Sequence, residues 1–347
     1  MTVRNPSPPG LAKPASIKDI ARIAGVTHST VSRALRNSPL VSGETAERIH
    51  RIARELGYRT SAAARSLVTR RSDTIGVVVT NIVDPFIAGV VSGIEETADE
   101  HDLSVFLANS NAQPEREVRV AEKFEERRVD GIIVTASRVG AQYVPLLTHM
   151  QVPIVLLNNQ HPSQFAHSIM IANVQASLEA MRYLIGLGHR RIAYLGDRSG
   201  YQSDEERLTG YRQALCEAAL PAEPSLIVHG NGKPEGAEAP VAGLLALPEP
   251  PTALFCYNDM SALGAMRQIR RHGLRIPGDI SVVGFDDLYI SEYLNPPLTT
   301  VRQPMRQMGR MAMEKLLQLF AGIDSGNEIR VPGELIVRES AATPKEN

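Results

Sequence analysis

The feature that most constrains the fold is an alternation, from Thr74 onward, of short apolar runs with amphipathic stretches. Runs of this length, rich in Val, Ile and Leu, are typical of β-strands buried on both faces. We assign to strands Ile75–Val79, Ser104–Leu107, Gly131–Val134, Ile154–Leu157, Ile192–Leu195, Ala253–Cys256 and Ile280–Val283. Helical spacing marks the stretches Phe86–His101, Glu115–Arg127, Ser177–Leu187, Glu205–Ala219 and Met260–His272. Strands that alternate with helices predict parallel sheets covered by helices.

Length and composition exclude several classes of protein. A chain of 347 residues is long enough for two or three domains. It has no run of 18 apolar residues, so we expect no membrane-spanning helix. Residues 1–15 carry four prolines and no apolar core, which predicts a flexible tail rather than a secretory signal. The only cysteines are Cys216 and Cys256, so we expect no disulfide framework, no metal site and a cytoplasmic protein.

The charge of the chain is unevenly distributed. Residues 1–71 hold 13 Lys and Arg but only 4 Asp and Glu, a net charge of +9. The whole chain has a net charge of −1, so the remainder carries −10. A basic head on an acidic body favours a polyanion as the partner of the head. A merely solvated basic surface is the alternative that charge alone leaves open.

The head begins with a short helix that has clear start and stop signals. Ser16 and Asp19 have the spacing of a capping box, with Asp in place of the usual Glu or Gln. They predict a helix over Ile17–Ala24. Gly25 follows it and suits the left-handed backbone position that ends a helix.

Two further helices are predicted in the head. Thr27 is suited to cap a second helix that runs to about Arg36, and Ser42 to cap a third that ends at Gly57. The third helix places four apolar residues on one face, namely Ile49, Ile52, Ala53 and Leu56.

The first two helices have the spacing of a helix-turn-helix. This motif needs a small residue where its helices cross, a glycine in the turn and an apolar anchor in the second helix. Ala21, Gly25 and Val31 supply them. If Val31 and Leu35 face inward, the outward face can read bases and contact phosphates, and Arg33 can hold a guanine edge through two hydrogen bonds. The DNA-binding residues predicted here are Ser16, Thr27, His28, Ser29, Thr30, Ser32 and Arg33.

The segments SIKDIARIAGVTHSTVSRAL (from Ser16) and VSGETAERIHRIARELGY (from Val41) together resemble the amino-terminal signature of the lac repressor family (LacI/GalR). Later segments resemble that family in the same order, to about Ser340. They are GVVVTNIVDPFIAGVVSGIE, RVDGIIV, LGHRRIAYLGD, ERLTGY, ALFCYNDMSALGAMR, IPGDISVVGFDD and PPLTTVRQP. The resemblance implies an all-α helix-turn-helix head, a hinge helix, and an α/β two-subdomain periplasmic-binding-protein-like body.

Residues 61–71 correspond to the hinge of that family. Ser61 can cap the alanine-rich segment to Leu67, which is too short to be a stable helix alone. The resemblance implies that this segment pairs with its dimer mate in the minor groove. Leu67 would wedge into a base step beside Ala64. Ser61 replaces the family's common asparagine. A flexible linker that only spaces two domains is the alternative.

The predicted domain boundaries follow from these patterns and from the resemblance. They are a tail at 1–15, the helix-turn-helix domain at 16–60, the hinge at 61–71, the body at 72–341 and a tail at 342–347. Within the body, the resemblance implies a first subdomain of about 74–173 and 304–332, and a second of 174–302. A cleft would lie between the two subdomains.

Polar residues collect after the predicted strands, where parallel sheets bind ligands. Planar amides, carboxylates and an arginine suit the hydroxyl groups of a carbohydrate, and an aromatic ring can cover its apolar face. The predicted effector-binding residues are Asp84, Phe86, Asn158, Arg207, Asn258 and Asp286. Arg207, Asn258 and Asp286 match ligand contacts of the family.

Several of these positions have a structural alternative. Asp259 is expected to cap a helix beginning at Met260 rather than contact ligand, Asp287 fits either role, and Phe86 can be a core residue. Asn231 and Gly232 stand where some sugar-binding members of the family have an aromatic residue. Two alternatives therefore stay open for the ligand: a different sugar, or a molecule of another class.

An enzyme is not expected, because the chain lacks the phosphate-binding, dinucleotide, zinc-protease and serine-hydrolase motifs. A transport-type sugar-binding protein would share the body but not residues 16–71. The sequence therefore predicts a transcription regulator, most simply a repressor, that needs no cofactor. Because one small head buries little base-contact surface, we expect a homodimer on a pseudo-palindromic double-stranded operator, controlled by a small-molecule effector.

Overall fold

The computed structural model describes residues 15–58, 71–137, 149–150, 152–159, 167–324, 326 and 328–345. The chain divides into two compact units between Ser72 and Asp73, which we call the head and the body. The predicted hinge residues Ser61, Ala64 and Leu67 lie outside the described residues.

The head contains the three predicted helices, α1 (Ile17–Ala24), α2 (His28–Ala34) and α3 (Gly43–Glu55). Both halves of the Ser16–Asp19 capping box form, and Gly25 ends α1 with a φ of 66°. The predictions for α1 are therefore confirmed.

The ends of the other two helices differ from the prediction. Helix α2 stops at Ala34, two residues before Arg36. Ser42 occupies the N-cap of α3, but its hydroxyl donates to Thr45 Oγ1 at 2.9 Å and caps no backbone amide. Helix α3 was expected to end at Gly57 but ends two residues earlier, at Glu55. Gly57 has the positive φ of 61° that suits a residue just beyond a helix.

The core of the head is formed where the three helices pack. Ile20, Val31 and Ile49 are completely buried there. Leu56 was expected on the same face, but the residue is 36% exposed, so its predicted place in the core was wrong. It lies at the C-cap, beyond the last helical residue, and Tyr58 packs against this core instead.

The strands of the body are, in chain order, β1 (Thr74–Val79), β2 (Ser104–Asn109), β3 (Gly131–Thr135), β4 (Ile154–Leu157), β5 (Ser168–Ile171), β6 (Ile192–Asp197), β7 (Ile227–Gly230), β8 (Ala253–Cys256), β9 (Ser281–Asp286), β10 (Thr299–Arg302), β11 (Ile329–Val331) and β12 (Glu334–Ile336). Its helices within the described residues are α4 (Pro85–Asp99), α5 (Pro114–Glu126), α6 (Asn173–Gly186), α7 (Gln202–Glu217), α8 (Pro234–Leu245), α9 (Asp259–Arg271) and α10 (Met305–Phe320), with 3₁₀ turns at Pro224–Leu226 and Tyr289–Tyr293.

Two six-stranded sheets form the two subdomains of the body. The first has the order β11-β5-β4-β3-β1-β2 and is parallel throughout. The second has the order β12-β10-β9-β8-β6-β7 and is parallel except for the β10–β12 pair. The predicted parallel sheets are confirmed.

Helices cover both faces of each sheet. In the first subdomain α4 and α10 pack on one face and α5 on the other. In the second, α6 and α7 pack on one face and α8 and α9 on the other. The central strands are therefore buried on two sides, which explains why their apolar runs are continuous rather than alternating. The edge strand β2 is instead exposed at Phe106 and Leu107.

In the part of the body that the structure describes, three short connections join the subdomains. They lie at Ala172 between β5 and α6, at Gln303–Pro304 between β10 and α10, and at Pro332–Gly333 between β11 and β12. The carboxyl ends of the strands in both sheets, and hence the polar residues that follow them, border the space between the subdomains. None of the helices described is long and apolar enough to cross a membrane.

Candidate effector cleft and DNA-reading helix

The predicted effector-binding residues line a single cleft in the body with a volume of about 660 Å³. Those placed on its walls are Asp84, Phe86, Asn158, Arg207, Asn258 and Asp286. The first three belong to the first subdomain and the last three to the second. Their chemical role stays a prediction.

Arg207 forms part of the floor of the cleft and is only 3% exposed. Its Nε donates to Asn173 Oδ1 at 2.9 Å, and its Nη1 donates to the carbonyl of Tyr257. The guanidinium lies over the Phe285 ring, 3.7 Å from the centroid, and over the Tyr257 ring at 4.6 Å. Among the described residues, Nη2 has no hydrogen-bond partner, so it can donate to a molecule in the cleft.

Asp286 is the last residue of β9 and is 5% exposed. Its Oδ1 accepts a hydrogen bond of 2.6 Å from Gln303 Nε2. Burial raises the pKa of this carboxyl well above its usual range, and Arg207 lowers it in part. The Oε1 atom of Gln303 is buried in the cleft wall without a hydrogen-bond partner in the described chain. A buried acceptor in this state favours a ligand that donates to it.

Asn258 has a structural role as well as a place in the cleft wall. Its Oδ1 accepts from the backbone N–H of Ser261 at 2.8 Å and caps α9, and its Nδ2 donates to the carbonyl of Gly232. The expectation that Asp259 caps this helix was therefore wrong. Asp259 is buried and accepts hydrogen bonds from Leu288, Ser291 and Thr300.

Asp287 fits neither role that the sequence left open for it. It accepts from Arg302 Nε at 2.7 Å and from Arg338 Nη2 at 2.6 Å, so it forms an ion-pair cluster. The two neighbouring acids thus have different surroundings: Asp286 lines the cleft, whereas Asp287 pairs with the two arginines.

Asp84 and Phe86 begin α4 on the opposite wall. Asp84 is the N-cap and accepts from the Phe86 N–H at 3.0 Å. Burial raises the pKa of Asp84. The Phe86 ring packs partly against the core of the first subdomain and also borders the cleft. Its role in binding an effector stays a prediction.

Backbone strain is concentrated along the cleft. Five residues other than glycine that line it have positive φ, namely Asn111, Ala112, Ala136, Asn158 and Asp286. Such conformations cost about 1–3 kcal/mol each and are commonly found at ligand-binding sites.

Several cleft residues escaped the sequence reasoning. They are Asp197, Ser203, Tyr257 and Gln303. Gln303 was missed because β10, which it follows, has no continuous apolar run. Asn231 and Gly232 do border the cleft, at the place where the aromatic residue of some family members was expected. Tyr257 supplies an aromatic ring at a different position, with its hydroxyl 2.9 Å from Ser203 Oγ.

The outward face of α2 carries the residues predicted to read DNA. Thr27, His28, Ser29 and Arg33 are exposed, whereas Thr30 and Ser32 are half-buried. The Thr27 hydroxyl caps the helix by accepting from Thr30 N–H at 3.2 Å. Arg33 forms no ion pair within the described head, so its guanidinium is available to a partner. Ser16 is exposed at the start of α1, where its hydroxyl donates to Asp19.

The Ser32 hydroxyl already has a partner, because it accepts from Arg36 Nη2 at 3.1 Å.

In the described residues no group of three or more His, Cys, Asp or Glu side chains is placed to hold a metal ion.

Models of two protein families match separate parts of the chain, one in the head and one in the body. Residues 16–61 match the lacI family of bacterial regulatory proteins, and residues 181–341 match the periplasmic binding protein-like domain. A helix-turn-helix head followed by such a body defines the class of DNA-binding transcription regulators.

Known repressors match almost the whole chain. The transcriptional repressor PurR of Vibrio atlanticus (strain LGP32) is 35% identical over 331 residues, which cover 95% of this chain and 99% of PurR. The transcriptional repressor CytR of Escherichia coli (strain K12) is 36% identical over 327 residues, 94% of this chain and 96% of CytR. The chain belongs to the lacI family and is a DNA-binding transcriptional repressor, not an enzyme.

Solved structures show the same fold. A lac repressor dimer bound to operator and the anti-inducer ONPF matches with a TM-score of 0.89 and 29% identity, over 95% of this chain and 100% of the other. A complex of the regulator CelR with cellobiose matches with a TM-score of 0.72 and 31% identity, over 94% and 99%. The predicted fold class, a helical head on a two-subdomain α/β body, is confirmed.

Proposed function

We propose that this repressor binds a pseudo-palindromic operator as a homodimer, and that a small carbohydrate or carbohydrate derivative in the cleft controls its affinity for DNA. The observation that carries the proposal is the set of unused polar atoms around two buried side chains, those of Arg207 and Asp286. Arg207 Nη2 can donate, and Gln303 Oε1 and the second carboxyl oxygen of Asp286 can accept.

A vicinal diol fits this set of atoms. Each hydroxyl both donates and accepts, so one can accept from Arg207 while it and its neighbour donate to Asp286 and Gln303. The rings of Phe86 and Tyr257 supply the apolar surface that a sugar ring needs. Two related structures hold sugars: the CelR complex contains cellobiose, and a LacI family regulator of Enterococcus faecium contains ribose.

The head supports the operator part of the proposal. Arg33, His28 and Ser29 share the exposed face of α2, which can enter the major groove. The lac repressor structure is a dimer on operator DNA, and a second head doubles the contacts of a small reading surface. In the same arrangement Ser61, Ala64 and Leu67 would reach the minor groove.

A ligand screen tests the effector. We expect D-ribose, a hexose, cellobiose or a sugar phosphate to raise the melting temperature of the full chain, and calorimetry to show binding that Asp286→Asn weakens at least tenfold, about 1.4 kcal/mol. Asp279→Asn is the matched control, because Asp279 is an acid of the second subdomain that pairs with Arg275 outside the cleft. Binding of free nucleobases alone would refute a carbohydrate effector.

A further inference from the structure

Arg207 is one end of a chain of polar contacts that leaves the cleft. Its Nε donates to Asn173 Oδ1 at 2.9 Å. Asn173 Nδ2 donates in turn to Glu206 Oε2 at 2.8 Å. The other carboxyl oxygen of Glu206, Oε1, accepts from Arg330 Nη1 at 3.4 Å.

This chain of contacts crosses from one subdomain to the other. Glu206 and Arg207 lie on α7, which packs on the second sheet, whereas Arg330 lies on β11 at the edge of the first sheet. Asn173 directly follows one connection between the subdomains, and Arg330 stands two residues before another, at Pro332. The Glu206–Arg330 pair therefore bridges the two subdomains beside two of their connections.

Burial makes this pair more than a surface contact. Glu206 is 8% exposed and Asn173 is 2% exposed, whereas the Arg330 side chain is 44% exposed. A buried carboxylate that loses its cation is left with a desolvation penalty that the cation had offset, because water cannot replace the partner fully. Rotation of the subdomains that separated Arg330 from Glu206 would incur this penalty.

Arg330 has a second partner that would stay with it in such a rotation. Its Nε donates to Glu328 Oε1 at 2.7 Å, only two residues away in the same segment. Arg330 would thus remain paired on its own subdomain after it left Glu206. The electrostatic cost of opening therefore falls on Glu206.

We propose that the Glu206–Arg330 ion pair is a latch that stabilises one orientation of the subdomains, and that Asn173 is the positioning residue that connects it to Arg207. An effector that moves Arg207 shifts Asn173, which holds the same carboxylate as the latch. The connection to effector binding rests on the proposed function, whereas the latch itself does not.

A distance measurement on the ligand-free full chain tests the latch. Spin labels at the exposed positions Arg119 on α5 and Arg270 on α9, in a Cys216→Ser background, report the separation of the subdomains. We expect Arg330→Gln to broaden the distance distribution and shift its mean, Glu206→Gln to do the same, and the double variant to add nothing. Arg330→Lys should restore the wild-type distribution in part, since it keeps the charge.

Arg302→Gln is the matched control. Arg302 is equally exposed and also lies on a strand, but its partners Asp287 and Glu334 belong to its own subdomain. Its loss should lower stability without moving the labels. An Arg330→Gln distribution that coincides with those of wild type and Arg302→Gln would overturn the latch.

Calorimetry with D-ribose tests the connection to the cleft. Arg330 does not line the cleft, yet Arg330→Gln should change ribose affinity at least about fivefold, and Arg302→Gln should not. Equal affinities in the three proteins would refute the connection. If wild type binds no carbohydrate, the proposed effector fails, while the label distances still decide the latch.

Discussion

Gln303, which lies in the connection between β10 and α10, forms two hydrogen bonds with Asp286. Its side-chain Nε2 donates to Asp286 Oδ1 at 2.6 Å, and its backbone N–H donates to the Asp286 carbonyl at 3.2 Å. The buried carboxyl of the cleft is therefore fixed to a segment that must deform when the subdomains reorient. A ligand that contacts Asp286 acts directly on that segment.

The raised pKa of Asp286 has a consequence for stability. Buried beside Asp259 and Asp84 and facing Arg207, it binds a proton more tightly in the folded than in the unfolded chain. The contribution of Asp286 to the free energy of unfolding is therefore complete below the unfolded pKa of about 4. It is lost as pH rises through the folded pKa, and the free energy of unfolding falls by at most about 1.4 kcal/mol per pH unit. Asp286→Asn should remove this loss, so its stability relative to wild type should rise with pH from about 4. Parallel curves in urea unfolding at a series of pH values would contradict this.

Loss of either buried polar side chain, that of Asp286 or of Arg207, should uncouple DNA binding from the effector. We expect Asp286→Ala and Arg207→Ala to abolish the ligand response but to leave ligand-free operator affinity within about threefold, about 0.7 kcal/mol. The measurement is operator binding titrated with the ligand found in the screen. Permanent repression would show that ligand releases the operator, and permanent derepression that ligand promotes binding. A full response in both variants at the wild-type ligand concentration would show that the cleft residues are wrongly assigned.

Arg33 should specify sequence rather than supply general affinity. Arg33→Ala should cost about 1–3 kcal/mol on the specific operator, relax discrimination at one base pair and change affinity for random DNA much less. Arg54→Ala removes the same charge from the exposed surface of α3 and should not relax discrimination. Equal weakening by Arg33→Ala on specific and random DNA would make Arg33 a phosphate contact.

The hinge prediction concerns Leu67. Leu67→Ser should leave the fold and ligand binding intact, weaken operator binding at least about tenfold and reduce DNA bending, because a polar side chain is a poor wedge between bases. Hydrogen exchange should show protection of residues 61–67 rising when operator binds. The same protection without DNA would argue against folding upon binding.

Two helical glycines should respond to alanine with opposite sign. A Cβ at Gly93 would lie 2.1 Å from the Arg306 carbonyl oxygen, so Gly93→Ala forces α4 and α10 apart and should cost about 1–3 kcal/mol. A Cβ at Gly243 on α8 would meet nothing within 4 Å, and Gly243→Ala should stabilise the body by up to about 1 kcal/mol. Denaturant unfolding of both variants decides the sign, and two shifts in the same direction would contradict the packing argument.

Local signals in the sequence were sufficient for much of this protein. The Ser16–Asp19 capping box and Gly25 determined α1, since a helix start and stop depend on a few neighbouring residues. Continuous apolar runs determined the central strands. The short strands β5, β7, β10, β11 and β12 and helices α8 and α10 were not assigned, because their patterns are weak and pairing or packing with distant segments forms them.

The cleft shows what local patterns leave open. That Asp84, Arg207 and Asp286 share one cavity follows from strand ends in parallel sheets and from resemblance. The sequence could not show that Asn258 rather than Asp259 caps α9, or that Asp287 pairs with Arg302 and Arg338. Nor could it bring Gln303 to Asp286, or Arg330 to Glu206 across 124 positions. Only the tertiary structure decides these partners, because the free energy of a buried charge depends on which side chains the fold brings to it, and sequence spacing does not encode that distance.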